Sequence, residues 1–238
     1  MAGGGGWRVA FFGGSFDPPH LGHLAVARAA RDALRLDTVL FAPVGVQPLK
    51  PHGSSASFDD RLRMTELAIA GEPGFQLSQI DAPDPSGRPN YTLDTLRDLR
   101  TSLPAGTRLF CLMGADSFLT LRQWHGAAEI PFAATLIVAS RPGESLKDLQ
   151  LALPHGLILV CDDPSMPTAN TAASLLSCTL RNPSGASADF HLLPGLDVAI
   201  SASEIREQLR ARNHAPDSRP LVSPAVTAYM REHRLYGS

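Results

Sequence analysis

Short apolar runs alternating with amphipathic stretches predict an α/β protein built on a parallel sheet covered on both faces. Two observations carry that expectation. The run Trp7 to Phe12 is apolar enough for a buried strand, Gly13 and Gly14 end it, and Leu21, Leu24 and Ala25 then recur at helical spacing. The chain has 238 residues with 44% hydrophobic content, enough to bury a sizeable core as one α/β domain with extensions or as two small domains.

The remaining elements follow in chain order. Residues 1–6, a Met-Ala and four glycines, are expected to be a disordered lead-in; they lack the basic-then-apolar pattern of a signal peptide. The first helix should run to about Arg35, and Thr38 to Ala42 reads as a second strand. Pro43 to Ser57 reads as a loop carrying Pro48, Lys50, Pro51 and His52. Ser57 with Asp60 has the pattern of an N-cap pair for a helix lined by Leu62, Leu67, Ala68 and Ala70 and ended by Gly71. A third strand is expected at Phe75 to Ile80. After the turn-rich segment Asp81 to Asn90, Thr92 should cap a helix carrying Leu93, Leu96 and Leu99 on one side.

Arg108 to Met113 is the clearest strand after the first, and it runs into Gly114-Ala115-Asp116-Ser117, a strand end with a helix start. Thr135 to Ala139 is a further strand, ending in Arg141-Pro142-Gly143. From Leu151 the pattern weakens. Leu157 to Val160 fits a strand, but Asp162 to Pro194 is rich in Pro, Ser, Ala and Asn, and residues 151–195 read as an insertion holding a short helix at Ala172 to Cys178. Order returns at Asp197 to Ile200. Ser203 is then expected to cap the helix Glu204 to Arg212, and Ser223-Pro224 to open a last helix to Arg234. Residues 7–150 thus form the core, and 196–238 complete the same domain with a C-terminal helical segment.

A net charge of −2 provides no general basic field, so nucleic acid is not expected as a main partner. No run is long enough to cross a membrane, which points to a cytoplasmic protein with no membrane partner. Cys111, Cys161 and Cys178 are too few and too scattered for a disulfide framework or a zinc site, and read as buried thiols. Lys50 and Lys147 are the only lysines. Homo-oligomerisation is left open.

The chemistry concentrates in Phe11 to Leu24. On a helix, His20 and His23 share one face near backbone N–H groups that lack partners in the first turn. Glycines ahead of such an end let the backbone approach a ligand, and the positive end of the helix dipole adds to the imidazole donors, as a phosphate site requires. The plainer alternative is a strand-to-helix turn with two surface histidines. Ile200 to Arg206 is a second constellation, with the hydroxyls of Ser201 and Ser203 near a helix start and an Arg206 fork suited to phosphate oxygens. Its alternative is an ordinary capped helix with a surface arginine.

Gly14-Ser15-Phe16-Asp17-Pro18-Pro19-His20-Leu21-Gly22-His23 resembles the G-x-F-x-P-x-H-x-G-H signature of nucleotidylyltransferases, matching at every fixed position. Ile200 to Arg206 resembles their I-S-S-T-x-I-R segment, with Ala202 and Ser203 in place of Ser and Thr. Three further stretches are similar to nicotinate-nucleotide adenylyltransferases in particular. Pro43 to Lys50 resembles P-x-N-x-P-P-H-K with Gly45, Gln47 and Leu49 replacing Asn, Pro and His. Asn90-Tyr91-Thr92 with Asp94-Thr95-Leu96 resembles S-Y-T-x-D-T-L. Gly114 to Ser117, Trp124-His125 and Arg141 to Gly143 resemble the G-A-D-S, W-Y and R-P-G landmarks.

The resemblance implies an open, doubly wound, Rossmann-like sheet with ATP at the carboxyl ends of its strands. It implies that ATP and nicotinate mononucleotide are joined by direct attack of the acceptor phosphate on the α-phosphate, expelling pyrophosphate, with no protein nucleophile. His20 and His23 would stabilise the charge that develops, and Lys50 and Arg206 would clamp the β and γ oxygens. Gly13, Gly14, Ser15, Phe16, Asp17, Ile200, Ser201 and Ser203 would complete the ATP site. Tyr91, Thr92, Gly114, Asp116, Trp124, His125 and Arg141 would hold the acceptor, Trp124 by stacking on the pyridine ring. Mg2+ would bridge the phosphates, with Asp17 and Asp116 the nearest carboxylates. Transfer to nicotinamide mononucleotide, phosphopantetheine or glycerol phosphate, or nucleotide binding without turnover, are the alternatives.

Overall fold

The first strand, β1 (Arg8–Gly14), buries Val9 through Phe12 in succession, the continuous apolar pattern of a strand covered on both faces. The computed structural model describes residues 6–50, 53–140, 146–161, 175–194, 200–210 and 220–237. Helix α1 (Leu21–Leu34) and strand β2 (Thr38–Pro43) follow, and helix α2 (Phe58–Ile69) starts where Ser57 Oγ accepts the Asp60 N–H, as expected from the cap pair. After the short strand β3 (Phe75–Leu77) comes helix α3 (Thr92–Ser102), buried through Leu93, Leu96 and Leu99. Thr92 is its first residue rather than its cap: Tyr91 precedes it in an extended conformation and gives no side-chain cap.

Strand β4 (Arg108–Gly114) runs directly into helix α4 (Ala115–Leu119), and helix α5 (Ile130–Ala133) leads into strand β5 (Thr135–Ala139). Helix α6 (Leu146–Ala152) is followed by three strands, β6 (Ile158–Cys161), β7 (Leu176–Arg181) and β8 (Ser187–Leu193). The chain finishes with helices α7 (Ala202–Arg210) and α8 (Pro224–Glu232), the latter capped by Ser223 with Pro224 at its first position.

The strands make one eight-stranded sheet in the order β3-β2-β1-β4-β5-β8-β7-β6. Pairings β1 to β4, β4 to β5 and β5 to β8 are parallel, as the alternating pattern predicts. The edge is not: β8 to β7 and β7 to β6 are antiparallel. Leu176 to Cys178, expected at the end of a short helix, belongs to β7. Residues 172–174 lie outside the described residues, as do residues 1–5, the Arg141-Pro142-Gly143 landmark, the run 197–199 expected as strand, and Ala211 and Arg212.

The cysteines also depart from expectation. Cys161 and Cys178 face each other across β6 and β7, with Cα atoms 4.3 Å apart, and form a disulfide, while Cys111 remains a buried thiol. Their sequence separation of 17 hides a pairing that the antiparallel register makes direct.

Two compact units divide the chain. The first comprises Met1–Phe12, Val26–Leu40 and Tyr91–Asp197. Within it, Phe110, Leu112, Leu136 and Ile137 of the central strands are fully or nearly fully buried, alongside Leu96, Phe118 and Phe190. The second comprises Gly13–Ala25, Phe41–Asn90 and Val198–Ser238. It holds a separate cluster in which Ala56, Met64 and Ala68 pack with Ile205, Val222, Val226, Met230 and Tyr236. No helix among the described residues is long and apolar enough to cross a membrane.

Phe110 is 0% exposed at the centre of the first unit's sheet. Phe110→Ala should therefore cost about 3–5 kcal/mol of stability through lost transfer energy and the cavity left behind. Urea denaturation of the two proteins measures this, and a loss under about 1 kcal/mol would contradict that packing.

Candidate active site

Where β1 ends, the chain must present several backbone N–H groups at the start of α1 that have no intrahelical partner. The Leu21 N–H goes to the Leu221 carbonyl at 2.8 Å and the His23 N–H is shared with the His20 carbonyl at 2.9 Å, and the two histidine rings add to these. Nδ1 of His20 accepts the His23 backbone N–H at 3.3 Å, and Nδ1 of His23 accepts the His20 backbone N–H at 3.1 Å. The rings stack at a centroid distance of 3.6 Å. A ring nitrogen that accepts carries no proton, so each neutral imidazole holds its hydrogen on Nε2, as a donor.

Burial fixes that charge state. His20 is 8% exposed, and desolvation lowers its pKa to about 4. His23 is pushed well below the ordinary value by desolvation first and by the neighbouring His20 second. Phe16 braces the pair, with its ring edge-on to His23 at 4.9 Å. Its φ of 47° lies in the left-handed region that non-glycine residues avoid. Such an outlier persists only where packing over-determines it, and Phe16 is fully buried beside Phe41. The Asp17-Pro18 peptide is cis.

The lysine loop lies on this motif. Lys50 Nζ donates to Ser15 Oγ at 2.8 Å, and Ser15 Oγ donates to Gln47 Oε1 at 2.7 Å. Gln47, one of the three departures in the loop, thus anchors the hydroxyl that anchors the lysine. Gly45 is another: a Cβ there would overlap the backbone of Pro83. Asn90 ties the same loop down, its Oδ1 accepting the Val46 N–H at 2.9 Å and its Nδ2 donating to the Ala82 carbonyl at 3.0 Å. Burial, then the nearby Arg206, lowers the Lys50 pKa, while Asp17 raises it.

Arg206 reaches the motif from α7, its Nη1 donating to the Asp17 carbonyl at 2.6 Å and its Nη2 to Ser203 Oγ at 3.0 Å. Ser203 therefore supports the guanidinium and does not cap the helix. The cap is Ser201, whose Oγ accepts the Glu204 N–H while Glu204 Oε2 accepts the Ser201 N–H, a reciprocal capping box. Ile200 stands half-buried just ahead of it. Gly13 and Gly14 close β1, and a Cβ at Gly14 would lie in ordinary contact with the Phe16 ring. Asp17 is 4% exposed, with both carboxylate oxygens engaged by protein donors.

The second unit thus brings together His20, His23, Lys50, Arg206, Ser15, Phe16 and Asp17. Sequence reasoning missed Arg61 and Tyr236 there. Arg61 is 2% exposed and donates from Nη1 to the Ser15 carbonyl at 2.7 Å. Its Nε has no hydrogen-bond partner among the described residues. A charged residue at a helix position that should face the core was its available signal. Tyr236 donates to Asp17 from the far end of the chain, which no local pattern reveals.

The first unit contains the expected acceptor residues. Tyr91 and His125 face each other with ring centroids 4.5 Å apart and a 36° tilt. Trp124, half-buried, donates from Nε1 to Thr120 Oγ1 at 3.2 Å. Thr92 opens α3, Gly114 closes β4, and Asp116 is exposed in the first turn of α4. Arg141 lies outside the described residues. No group of three or more His, Cys, Asp and Glu among the described residues is placed to hold a metal ion.

The cytidylyltransferase-like family model matches residues 11–208. A protein of Trichlorobacter lovleyi named "Probable nicotinate-nucleotide adenylyltransferase" is 37% identical over 229 residues, covering 96% of this chain and 99% of that one. One from Xylella fastidiosa with the same name is 37% identical over 231 residues, with 95% of each chain covered. The fold is similar to that of a solved Plasmodium falciparum nicotinic acid mononucleotide adenylyltransferase complexed with NaAD. The TM-score is 0.69 at 17% identity, covering 97% of both chains.

The histidine burial has a measurable consequence. Both imidazoles have pKa values lowered by folding, so between the ordinary value of 6.5 and about 4 the unfolded chain binds more protons than the folded one. The stability this pair contributes is complete above pH 6.5 and is lost as pH falls toward 4. Denaturation midpoints of the wild type should fall over that window more steeply than those of His20→Gln, and equal slopes would contradict the neutral pair.

Proposed function

The chain belongs to the cytidylyltransferase-like family, with the nicotinate-nucleotide adenylyltransferases as its near relatives, and from that premise we propose that it joins ATP to nicotinate mononucleotide. The products are nicotinate adenine dinucleotide and pyrophosphate, a step of NAD biosynthesis. The observation that carries this reading is the reciprocal capping of His20 and His23, which commits both Nε2–H groups to donation at a helix start.

The acceptor phosphate attacks the ATP α-phosphate directly, so the protein supplies position and charge compensation rather than a nucleophile. His20 and His23 donate to the α-phosphate and the leaving group. Lys50 and Arg206 hold the β and γ oxygens, the latter as a fork. Ser15 presents Lys50, and Ser203 supports the Arg206 guanidinium. Gly13, Gly14, Phe16, Asp17, Ile200 and Ser201 shape the backbone around these groups. Magnesium enters with ATP as part of the substrate, its octahedral oxygen shell completed largely by phosphate oxygens and water.

For the acceptor, the paired rings of Tyr91 and His125 with Trp124 offer aromatic faces to a pyridine ring, and Thr92 at the start of α3 offers a hydroxyl and backbone N–H groups to its carboxylate. Gly114, Asp116 and Arg141 are assigned to the same substrate. Both substrates are small molecules, so neither nucleic acid nor a membrane is a partner in this reading, and the reaction belongs to the cytoplasm.

Pyrophosphate release from ATP and magnesium tests the reading when nicotinate mononucleotide, nicotinamide mononucleotide and phosphopantetheine are supplied in turn. Release should be fastest with the first, and a faster rate with either of the others would overturn the assignment. His23→Ala should lower kcat by about 10²-fold or more, the effect of deleting a preorganised transition-state donor, with the fold retained and the melting temperature lowered by loss of the acceptor for the His20 N–H. Near-normal turnover would exclude that role.

A further inference from the structure

Asp17 is the point where four segments of the second unit meet. Its Oδ2 accepts the Ser55 N–H at 2.6 Å, and its Oδ1 accepts the Ala56 N–H at 3.1 Å and the Tyr236 hydroxyl at 2.6 Å. Its backbone carbonyl accepts Nη1 of Arg206, which comes no closer than 3.9 Å to Oδ2. The carboxylate is therefore satisfied by three neutral donors while a guanidinium stands just beyond hydrogen-bonding range.

Tyr236 holds an unfavourable conformation to make its bond. Its φ is 60°, between Arg234 at 53° and Gly237 at 86°. A bulky residue occupies the left-handed region only when its surroundings over-determine it. Here the ring is 9% exposed within the cluster of Ile205, Val226 and Met230, and its hydroxyl sits on a buried carboxylate. Burial and that carboxylate both raise the phenol pKa, so the group stays a donor.

We propose that Tyr236 is a positioning residue for ATP binding: its hydroxyl holds the Asp17 carboxylate off Arg206, keeping the guanidinium available to the polyphosphate. This rests on the reading of Arg206 as a phosphate clamp. Without the hydroxyl, Oδ1 loses its shorter bond and keeps only the Ala56 N–H at 3.1 Å, in a buried position. Lys50, Arg61 and Arg206 all act on Asp17 electrostatically, and Arg206 is the cation already bonded to its backbone. The carboxylate then turns onto the guanidinium as a charge-assisted pair, and ATP must compete with it.

The test is Tyr236→Phe, with the double variant Asp17→Asn/Tyr236→Phe. The single variant should raise the KM and the calorimetric Kd for ATP about tenfold, the worth of one such bond, and leave the KM for nicotinate mononucleotide unchanged within about twofold. The double variant, whose amide has no charge to compete with, should recover much of the ATP affinity. A purely structural tyrosine would weaken both substrates together without recovery, and that result, or an unchanged ATP Kd, overturns the proposal.

Should Tyr236→Phe fail to fold, 3-fluorotyrosine-labelled wild type replaces it. The Tyr236 resonance, assigned by elimination with Tyr91→Phe and Tyr229→Phe, should move on addition of ATP, and a signal unmoved at saturation overturns the proposal. A wild type that binds ATP but makes no dinucleotide would sink the functional reading alone, since the ATP Kd comparison still decides the role of Tyr236.

Discussion

Unpaired backbone N–H groups at the start of α1 are the constraint on which the rest of the candidate site depends. Buried amides without partners are costly, and the first turn of any helix has them. Serine, threonine, asparagine or aspartate usually meets the need with a side-chain oxygen. Here two imidazoles share the role with the Leu221 and His20 carbonyls, each ring accepting from the backbone of the other. That single arrangement selects the tautomer, stacks the rings and leaves both as neutral donors. Phe16 in its left-handed conformation and the buried Asp17 hold the turn that makes the arrangement reachable.

The cations are organised around the same turn. Lys50 is presented by Ser15, which Gln47 orients, and Arg206 is presented by Ser203 and the Asp17 carbonyl. Two departures from the family pattern, Gly45 in the lysine loop and Asn90 beyond it, are accommodated by the same neighbouring segment. Gly45 makes room for the backbone of Pro83, and Asn90 bonds across to the segment that Gly45 opens. The loop is altered in sequence, yet its lysine reaches the glycine-rich turn.

Local chemistry makes much of this legible. The apolar run of β1, the Ser57 and Ser223 caps and the strand at Thr135 to Ala139 each depend on residues close in sequence, and each is found where the pattern places it. The His20 and His23 pair is readable for the same reason. What escapes depends on distant partners. The β6, β7 and β8 edge is read poorly because its strands are short and its intervening residues polar, so the Cys161 to Cys178 bond could not be foreseen. Ser201 and Ser203 stand two apart, and only the reciprocal bond to Glu204 distinguishes the cap from the arginine's support. Arg61 on α2 and Tyr236 beyond α8 are buried by partners distant in sequence.

Neutral imidazoles at a helix start also bear on how an anion leaves. A dipole's pull fades with distance faster than that of a full charge, so donors of this kind grip an oxyanion in contact and lose hold of it once it has moved a few ångströms. With His20 and His23 uncharged, the long-range attraction on a departing polyanion would, in the proposed reaction, fall to Lys50 and Arg206. In the proposed reaction, the chemical step and the residence time of the leaving group would thereby be governed by different side chains.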